Sequence, residues 1–384
     1  MVYQRLGDYI RPVDVRNRDL KINLSQGICN AKYFQNPKQV ADNPETHKVV
    51  RTGQFAYNRA TTRNGEKISI ALREGPDCTV SSAYQVFEIV DENQLDPKYL
   101  MMWFKRPEFD RLAIFYSHGS AHEFFEWDAM CEVRLPIPSI ARQREIVEEY
   151  ETLSRRIRLN EQMIARLEET AQALYRKMFV DGIDKENLPE GWRRGTLGEV
   201  ANIKGGKRLP KGSELQCEKN SHPYIKVADM CNSKYVILNR EFQYVGDDVQ
   251  SQIRQYIVNE GDVIISIVGT IGSTNVVDIT LDNANLTENC VKLVDFRSVS
   301  NHYLYSFLTS KEGQLAIEQN VVGGVQGKLP IYNIEKMELL IPNEKAIKDF
   351  DNIIVTLDND MILKQKENEK LTELQSLLLA RMGK

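Results

Sequence analysis

Two short stretches carry basic side chains next to glycine, amide and hydroxyl groups. Arg59-Ala60-Thr61-Thr62-Arg63-Asn64-Gly65-Glu66-Lys67 is one, and Lys204-Gly205-Gly206-Lys207-Arg208-Leu209-Pro210-Lys211 is the denser. Such residues suit phosphate oxygens and base edges: Lys and Arg neutralise phosphate, Arg grips guanine with two hydrogen bonds, and Asn or Gln grips adenine. Loop backbone N–H groups beside Gly205 and Gly206 can also face an anion. Arg59, Arg63, Asn64 and Lys67 are therefore candidate contacts in the first half of the chain, and Lys204, Lys207, Arg208 and Lys211 in the second. His118, Ser120 and His122 occupy a loop that aligns with Gly323 to Gln326, which adds them to the list. Thr270, Ser273 and Thr274 fall in a Gly-rich turn, and Gln326 and Lys328 in another. A lone surface Lys or Arg is more often a solvated charge than a contact, so the clusters carry the reading.

Composition limits the alternatives. The 384 residues suggest two domains, and 42% hydrophobic with 27% charged residues is the balance of a globular protein. The net charge of −4 opposes nucleic-acid binding only globally, because binding depends on local patches. The six cysteines (29, 78, 131, 217, 231 and 290) form no Cys-x-x-Cys pair, which is expected of reduced thiols in a cytoplasmic protein and not of a disulfide frame or zinc site. The five histidines are dispersed. No run of about 18 apolar residues is present, and the first residues lack the apolar core of a signal peptide, so no membrane span or secretion is expected.

The elements that must hold these loops come in two copies. Leu135-Pro136-Ile137-Pro138 opens a block closed by Arg176-Lys177-Met178. Leu339-Leu340-Ile341-Pro342 opens a second, closed by Ala380-Arg381-Met382, at an offset of 204 residues. Each block reads as one long helix. In the first, Ile146, Tyr150, Leu153, Ile157, Asn160, Ile164, Leu167, Ala171, Leu174 and Met178 recur at alternating four- and three-residue steps, a coiled-coil seam. Ser139 can cap its start and Gly182 stop its end. In the second, Phe350, Ile354, Leu357, Met361, Lys364, Asn368, Leu371, Gln375, Leu378 and Met382 hold the equivalent places, with a weaker middle. About 40 residues correspond to roughly 60 Å of helix. Two-fold related repeats would pack these helices antiparallel and hold the domains apart. Centring both seams places Asn160 opposite Asn368, where two amides can meet and fix the register, or each can face water at a frayed seam. The simpler reading, two amphipathic helices packed separately on their own domains, fits helices of this length less well.

Before each long helix lies a region of short β-rich segments bounded by Gly, Asn, Asp and Pro. Leu6-Gly7-Asp8-Tyr9-Ile10 and Leu197-Gly198-Glu199-Val200-Ala201 open them alike. Val49 to Asn58 matches Ile257 to Ser266, and Tyr99 to Phe104 matches Tyr303 to Leu308 as short amphipathic helices. The expected fold class is α+β: two mostly antiparallel-sheet domains, 1–138 and 181–342, separated by two long antiparallel coiled-coil helices, 139–180 and 343–384, in a pseudo-two-fold repeat.

On these residues the chain resembles the specificity subunit of Type I restriction–modification systems, over essentially its whole length. The carriers are the Leu-Pro-Ile-Pro segment leading into Ala141-Arg142-Gln143-Arg144-Glu145-Ile146-Val147, Gly191-Trp192 followed by Thr196-Leu197-Gly198-Glu199-Val200, and Glu260-Gly261-Asp262-Val263-Ile264-Ile265-Ser266. Each is weak alone; their order, repeated twice at matched spacing, is specific. The resemblance implies a non-catalytic DNA-recognition protein. Each domain would read one half of a split, asymmetric double-stranded DNA target in the major groove, and the helix pair would set the gap. Two methyltransferase (modification) subunits and two restriction–translocase subunits would join it. S-adenosylmethionine, ATP and Mg would sit on those partners and no cofactor on this chain. Arg142, Arg144, Glu148 and Glu149 are candidate partner contacts; ordinary charge pairing along a helix explains them equally well.

Two other classes compete. A self-contained adenine methyltransferase needs an Asn/Asp-Pro-Pro-aromatic segment, and Asp96-Pro97-Lys98-Tyr99 lacks the second proline, reading instead as a helix start. Gly323-Gly324-Val325-Gln326-Gly327-Lys328-Leu329 imitates a phosphate-binding loop, but Leu329 has no hydroxyl for magnesium. No nuclease-like acidic pair with a following Lys stands out. A coiled-coil scaffold without a DNA role is the third class; it predicts no salt-sensitive DNA binding.

Overall fold

The computed structural model describes residues 3–37, 43–60, 67–117, 124–230, 233–324 and 327–383. It divides into two units. Residues 1–156 with 370–384 form the first, and residues 157–369 the second. Each unit therefore combines one globular part with a segment of each long helix.

The first globular part is built on a four-stranded antiparallel sheet. Its strands are β1 (Ile10–Val13), β2 (Phe55–Asn58), β3 (Ile70–Leu72) and β4 (Tyr84–Ile89), in the order β1-β4-β2-β3. The register pairs Val13 with Val86, Asn58 with Tyr84, and Tyr57 with Ile70. Both faces of β2 and β3 are covered, which is why these two strands are apolar at nearly every position, whereas β1 exposes Arg11 and Pro12. Phe55, Tyr57, Ile70, Phe87 and Ile89 face a core that includes helix α1 (Pro97–Phe104), while Ala56, Ala71 and Val86 face a smaller cluster with Val50 and Val80. Asp96 caps α1, its carboxylate accepting from Lys98 N and Tyr99 N, with Pro97 at the first turn. Helix α2 (Ile140–Phe179) follows.

The second globular part repeats the plan. Strands β5 (Asn202–Gly205), β6 (Tyr235–Val236), β7 (Val263–Ser266), β8 (Thr274–Val277) and β9 (Cys290–Val294) form a sheet ordered β5-β9-β7-β8-β6. Removing β6, which runs parallel to β8, leaves the same first-last-second-third order as in the first part. Val263, Ile265, Val276, Val291 and Leu293 pack under helix α3 (Asn301–Thr309), and Ile264, Val277 and Cys290 fill the opposite face. Ser300 caps α3 through Tyr303 N. A further mixed four-stranded sheet, containing Pro223–Ile225 and Ala284–Leu286, adds to this part. The strands are thus mostly antiparallel, but each globular part holds more than one sheet.

The repeat extends to single hydrogen bonds. Tyr99 Oη donates to Pro136 O at 3.0 Å, and Tyr303 Oη to Leu340 O at 2.6 Å, both at the 204-residue offset. Arg134–Pro136 pairs with Tyr3–Arg5, and Glu338–Ile341 with Arg193–Thr196, so each part is closed by its first and last strands.

Helix α4 (Glu344–Arg381) begins at Asn343, whose Oδ1 accepts from Ala346 N. The long helices run antiparallel within each unit. In the first unit Gln375 Nε2 donates to Ser154 Oγ at 2.6 Å, and Met382 joins the core that holds Val147. In the second, Asn160 meets Asn368, and Phe179 lies 5.2 Å from Phe350, ring to ring. The seam residues Ile146, Tyr150, Leu153, Ile157, Leu167, Leu174, Leu357, Leu371 and Leu378 are half-buried, and Asn160 and Phe350 are buried. A second stripe, Val147, Ala171, Tyr175, Phe179, Ile347 and Asp358, is buried against the globular parts. Each helix thus serves two neighbours, another helix and a domain core.

Candidate nucleic-acid interface

Strand register decides which loops share an end of the sheet. In the second part, β7 ends at Ser266 opposite Cys290, the start of β9, and β5 ends at Gly205 opposite Val291. The loop after β5, the β7–β8 turn and the approach to β9 therefore emerge together. Val322 and Lys328, bridged to each other, join them, since Lys328 also bridges Val268 and Leu329 N donates to Ile267 O at 3.0 Å. The structure thus gathers Lys207, Arg208, Thr270 and Lys328 around one end of the five-stranded sheet, on loops that also carry Lys211 and Ser273; Lys204 on β5 instead turns its ammonium to Asp295, beyond the far end of β9. Gln326 lies outside the described residues.

The loop after β5 is anchored through its backbone. Lys207 N donates to Leu286 O at 2.8 Å, and Tyr224 Oη to Lys207 O at 2.9 Å. Gly206 permits this approach: a Cβ there would lie 2.0 Å from Thr287 O and 2.6 Å from Leu286 O. Lys207 Nζ rests 5.3 Å from the centre of the Tyr256 ring, and Arg208, 84% exposed, stands 3.6 Å from the Glu288 carboxylate. Lys204 reaches Asp295 at 3.5 Å. The Asn202 amide donating to Asp295, helped by the Lys204 charge, holds that carboxyl below the usual range. Lys292, opposite Lys204 in the register, is buried and donates to Ile257 O. Burial lowers its pKa and removes it from any surface role.

In the β7–β8 turn the three candidates part. Thr270 is exposed, whereas Ser273 is half-buried, its N–H donating to Ser266 Oγ at 3.1 Å. Ser273 and the buried Thr274 instead line a cavity of about 540 Å³ with Glu168, Gln172 and Thr309. Ser273 therefore faces α2 more than the loop end.

In the first part the β2–β3 loop occupies the equivalent end, where Asn58 lies opposite Tyr84 and Val13 opposite Val86. Arg59 opens it, paired with Glu126 at 3.2 Å and lying 5.8 Å from the Phe124 ring centre, and exposed Lys67 closes it. Arg63, Asn64, His118, Ser120 and His122 lie outside the described residues. Ala60 bridges Phe124, as Val268 bridges Lys328 in the second part. The segment after β1 shares this end and was missed: Arg16, Arg18 and Lys21 are the counterparts of the 204–211 loop. They alternate with Asp14 and Asp19, with which Arg16 and Lys21 pair at 2.9 and 2.8 Å, so they form no basic run. Topology alone reveals them.

These loop ends present cations and the Thr270 hydroxyl; the N–H groups of Gly206 and Lys207, expected to face an anion, instead donate to Cys290 O and Leu286 O. That chemistry binds polyanions and reads base edges. Among the described residues no group of three His, Cys, Asp or Glu could hold a metal ion, and no helix is long and apolar enough to cross a membrane.

The chain is similar to proteins of one family. The family model described as the Type I restriction modification DNA specificity domain matches residues 41–169 and 189–373. The Type I restriction enzyme HindI specificity subunit of Haemophilus influenzae is 21% identical over 434 aligned positions, covering 94% of this chain and 92% of that protein. Among solved structures, the Type I restriction–modification S subunit from M. genitalium superposes over 100% of this chain and 96% of its own, with a TM-score of 0.55 at 14% identity. That likeness is one of fold.

Proposed function

This chain belongs to the Type I restriction–modification specificity family, and from that premise we propose that it is the DNA-reading, non-catalytic subunit of such a system. Each globular part engages one half of a bipartite, asymmetric target through the loops at the shared end of its main sheet, in the major groove. The long helices set the unspecified gap between half-sites. Methyltransferase and restriction–translocase subunits, two of each, assemble on the chain and supply S-adenosylmethionine- and ATP/Mg-dependent chemistry in the cytoplasm.

One observation carries this reading. The same strand order occurs twice, and the same sheet end carries different side chains in the two copies: Arg16, Arg18, Arg59 and Lys67 in one, Lys207, Arg208, Lys211 and Thr270 in the other. Equivalent scaffolds with unlike loops suit two unlike half-sites, where a symmetric dimer would favour a palindrome. Phosphate contact supplies most of the affinity and base contact the choice of sequence.

The test is a map of methylated adenines in the host genome with and without this gene. The expected result is a split motif, two specified halves around an unspecified gap, that vanishes on deletion and returns on complementation. A methylation pattern indifferent to the gene overturns the proposal.

A further inference from the structure

The second globular part is seated on the long helices by a buried charge cluster that has no role in the loops described above. Lys234 Nζ lies 2.6 Å from Asp358 Oδ2, the two side chains being 2% and 3% exposed. His302 Nδ1 approaches the same oxygen at 2.8 Å, and Tyr235 Oη donates to it at 2.8 Å. Helix α2 closes the cluster, with Glu168 Oε1 accepting from Lys234 N at 2.5 Å. Two turns along α4 on either side, Asp351 accepts from Ser300 Oγ at 2.7 Å and Gln365 donates to Tyr235 O at 3.2 Å. Asp351, Asp358 and Gln365 are seven residues apart, a polar stripe beside the apolar seam.

An apolar face tolerates small rotations and slides, because dispersion and burial are non-directional. A buried carboxylate shared by an ammonium, an imidazole and a phenol does not, since any other setting strands a charge in the interior. Among the described residues the first half lacks this device. At the 204-residue offset Asp351 becomes Val147, which is core, and Asp358 becomes Ser154, which bonds Gln375 of the other long helix.

Building on the proposed function, we propose that Asp358 is a positioning residue for DNA reading: its cluster with Lys234, His302 and Tyr235 locks the second recognition part at one rotational setting on its helix segments. That setting holds the loops around Lys207 and Thr270 in phase with the gap between half-sites. Apolar packing alone would hold the part in place without fixing its phase.

The experiment selects target duplexes from a randomised DNA pool, using the chain assembled with its methyltransferase subunits. Wild type is expected to return a split motif with one gap, at least about tenfold preferred over gaps one base pair longer or shorter, the penalty typical of a misplaced contact. Asp358→Asn removes the charge and leaves Lys234 buried without its counter-ion. The double change Lys234→Met with Asp358→Leu replaces the ion pair with apolar groups of similar size, and its melting temperature reports whether the fold tolerates the loss of the acceptor for Tyr235 and His302. For the double variant both half-site sequences are expected to persist, while neighbouring gaps rise to within about threefold of the preferred one. A double variant melting at or above the wild-type temperature and returning the wild-type gap alone overturns the inference. If wild type itself returns no split motif, the proposed function fails instead.

Discussion

Asn160 Nδ2 donates to Asn368 Oδ1 at 2.9 Å, one long helix to the other, inside the second unit. Asn160 is fully buried, and its own Oδ1 has no partner among the described residues. An amide pair in a helix seam weakens it and specifies it at once: sliding one helix by a heptad would set Asn160 against Met361 or Gln375. Replacing both amides, Asn160→Leu with Asn368→Leu, removes an incompletely satisfied buried polar group and adds apolar contact. Stability in urea is expected to rise by about 1 kcal/mol, with the m-value unchanged. A lower midpoint would show that the amides stabilise the seam outright.

Gly206 makes a sharper prediction. Its missing side chain lets the basic loop lie against backbone carbonyls of Leu286 and Thr287, which cannot rotate away as a side chain would. Gly206→Ala is expected to cost about 1–3 kcal/mol in thermal unfolding of the second unit and to weaken DNA binding by the assembled complex. Gly212 offers the contrast. It sits at φ +87° with nothing within 4 Å, so Gly212→Ala carries only backbone strain of about 1 kcal/mol.

Lys207 and Arg208 differ from most surface cations in being held on a fixed backbone. Changing both to Ala is expected to flatten the salt dependence of binding to a random duplex by up to about two units of slope, each phosphate contact contributing about 0.9. Glu288 acts in the opposite sense, because its carboxylate stands beside Arg208 where a phosphate would compete. Glu288→Gln is expected to tighten binding at low salt and lose that advantage as salt rises. Titrations by fluorescence anisotropy at several salt concentrations distinguish the two outcomes; a slope unchanged in the Lys207/Arg208 variant removes this loop from the interface.

The sequence carries the long helices and the repeat openly, because heptad spacing and the 204-residue offset are local or periodic signals. The strands flanking Gly53 and Gly261 are legible for the same reason: apolar runs bounded by glycine at positive φ. Sheet order is not legible, since it depends on pairings such as Asn58 with Tyr84 and Gly205 with Val291 that join distant segments. Arg18 gives no signal in the sequence, because neighbouring aspartates break its charge run. Lys292 looks like any strand lysine, yet it is buried, and Ser273 looks like a loop hydroxyl, yet it faces the cavity beside α2. Asp358 is the most hidden: on a helix rich in Asp and Asn, nothing local separates a buried carboxylate from a solvated one.

Cysteine chemistry gives a prediction that depends on burial alone. Cys290 starts β9 with no exposed surface, and burial pushes its thiol up to about 12; Cys78 is pushed up to about 11 for the same reason. Cys217 is exposed. Thiolate is the reactive form, so at pH 8 an alkylating reagent is expected to modify Cys217 in the folded protein and to reach Cys78 and Cys290 only after unfolding. The sign of the linked pH effect follows. Between the ordinary thiol range and about 12 the unfolded chain has released the Cys290 proton and the folded chain has not, so stability falls as pH rises. Relative to wild type, Cys290→Ala is expected to remove a slope of about 1 kcal/mol per pH unit above pH 9, read from urea midpoints at stepped pH. Equal slopes for the two proteins, or alkylation of Cys290 as fast as Cys217 in native buffer, would mean that this end of β9 opens to solvent and that the basic loop anchored on Cys290 O opens with it.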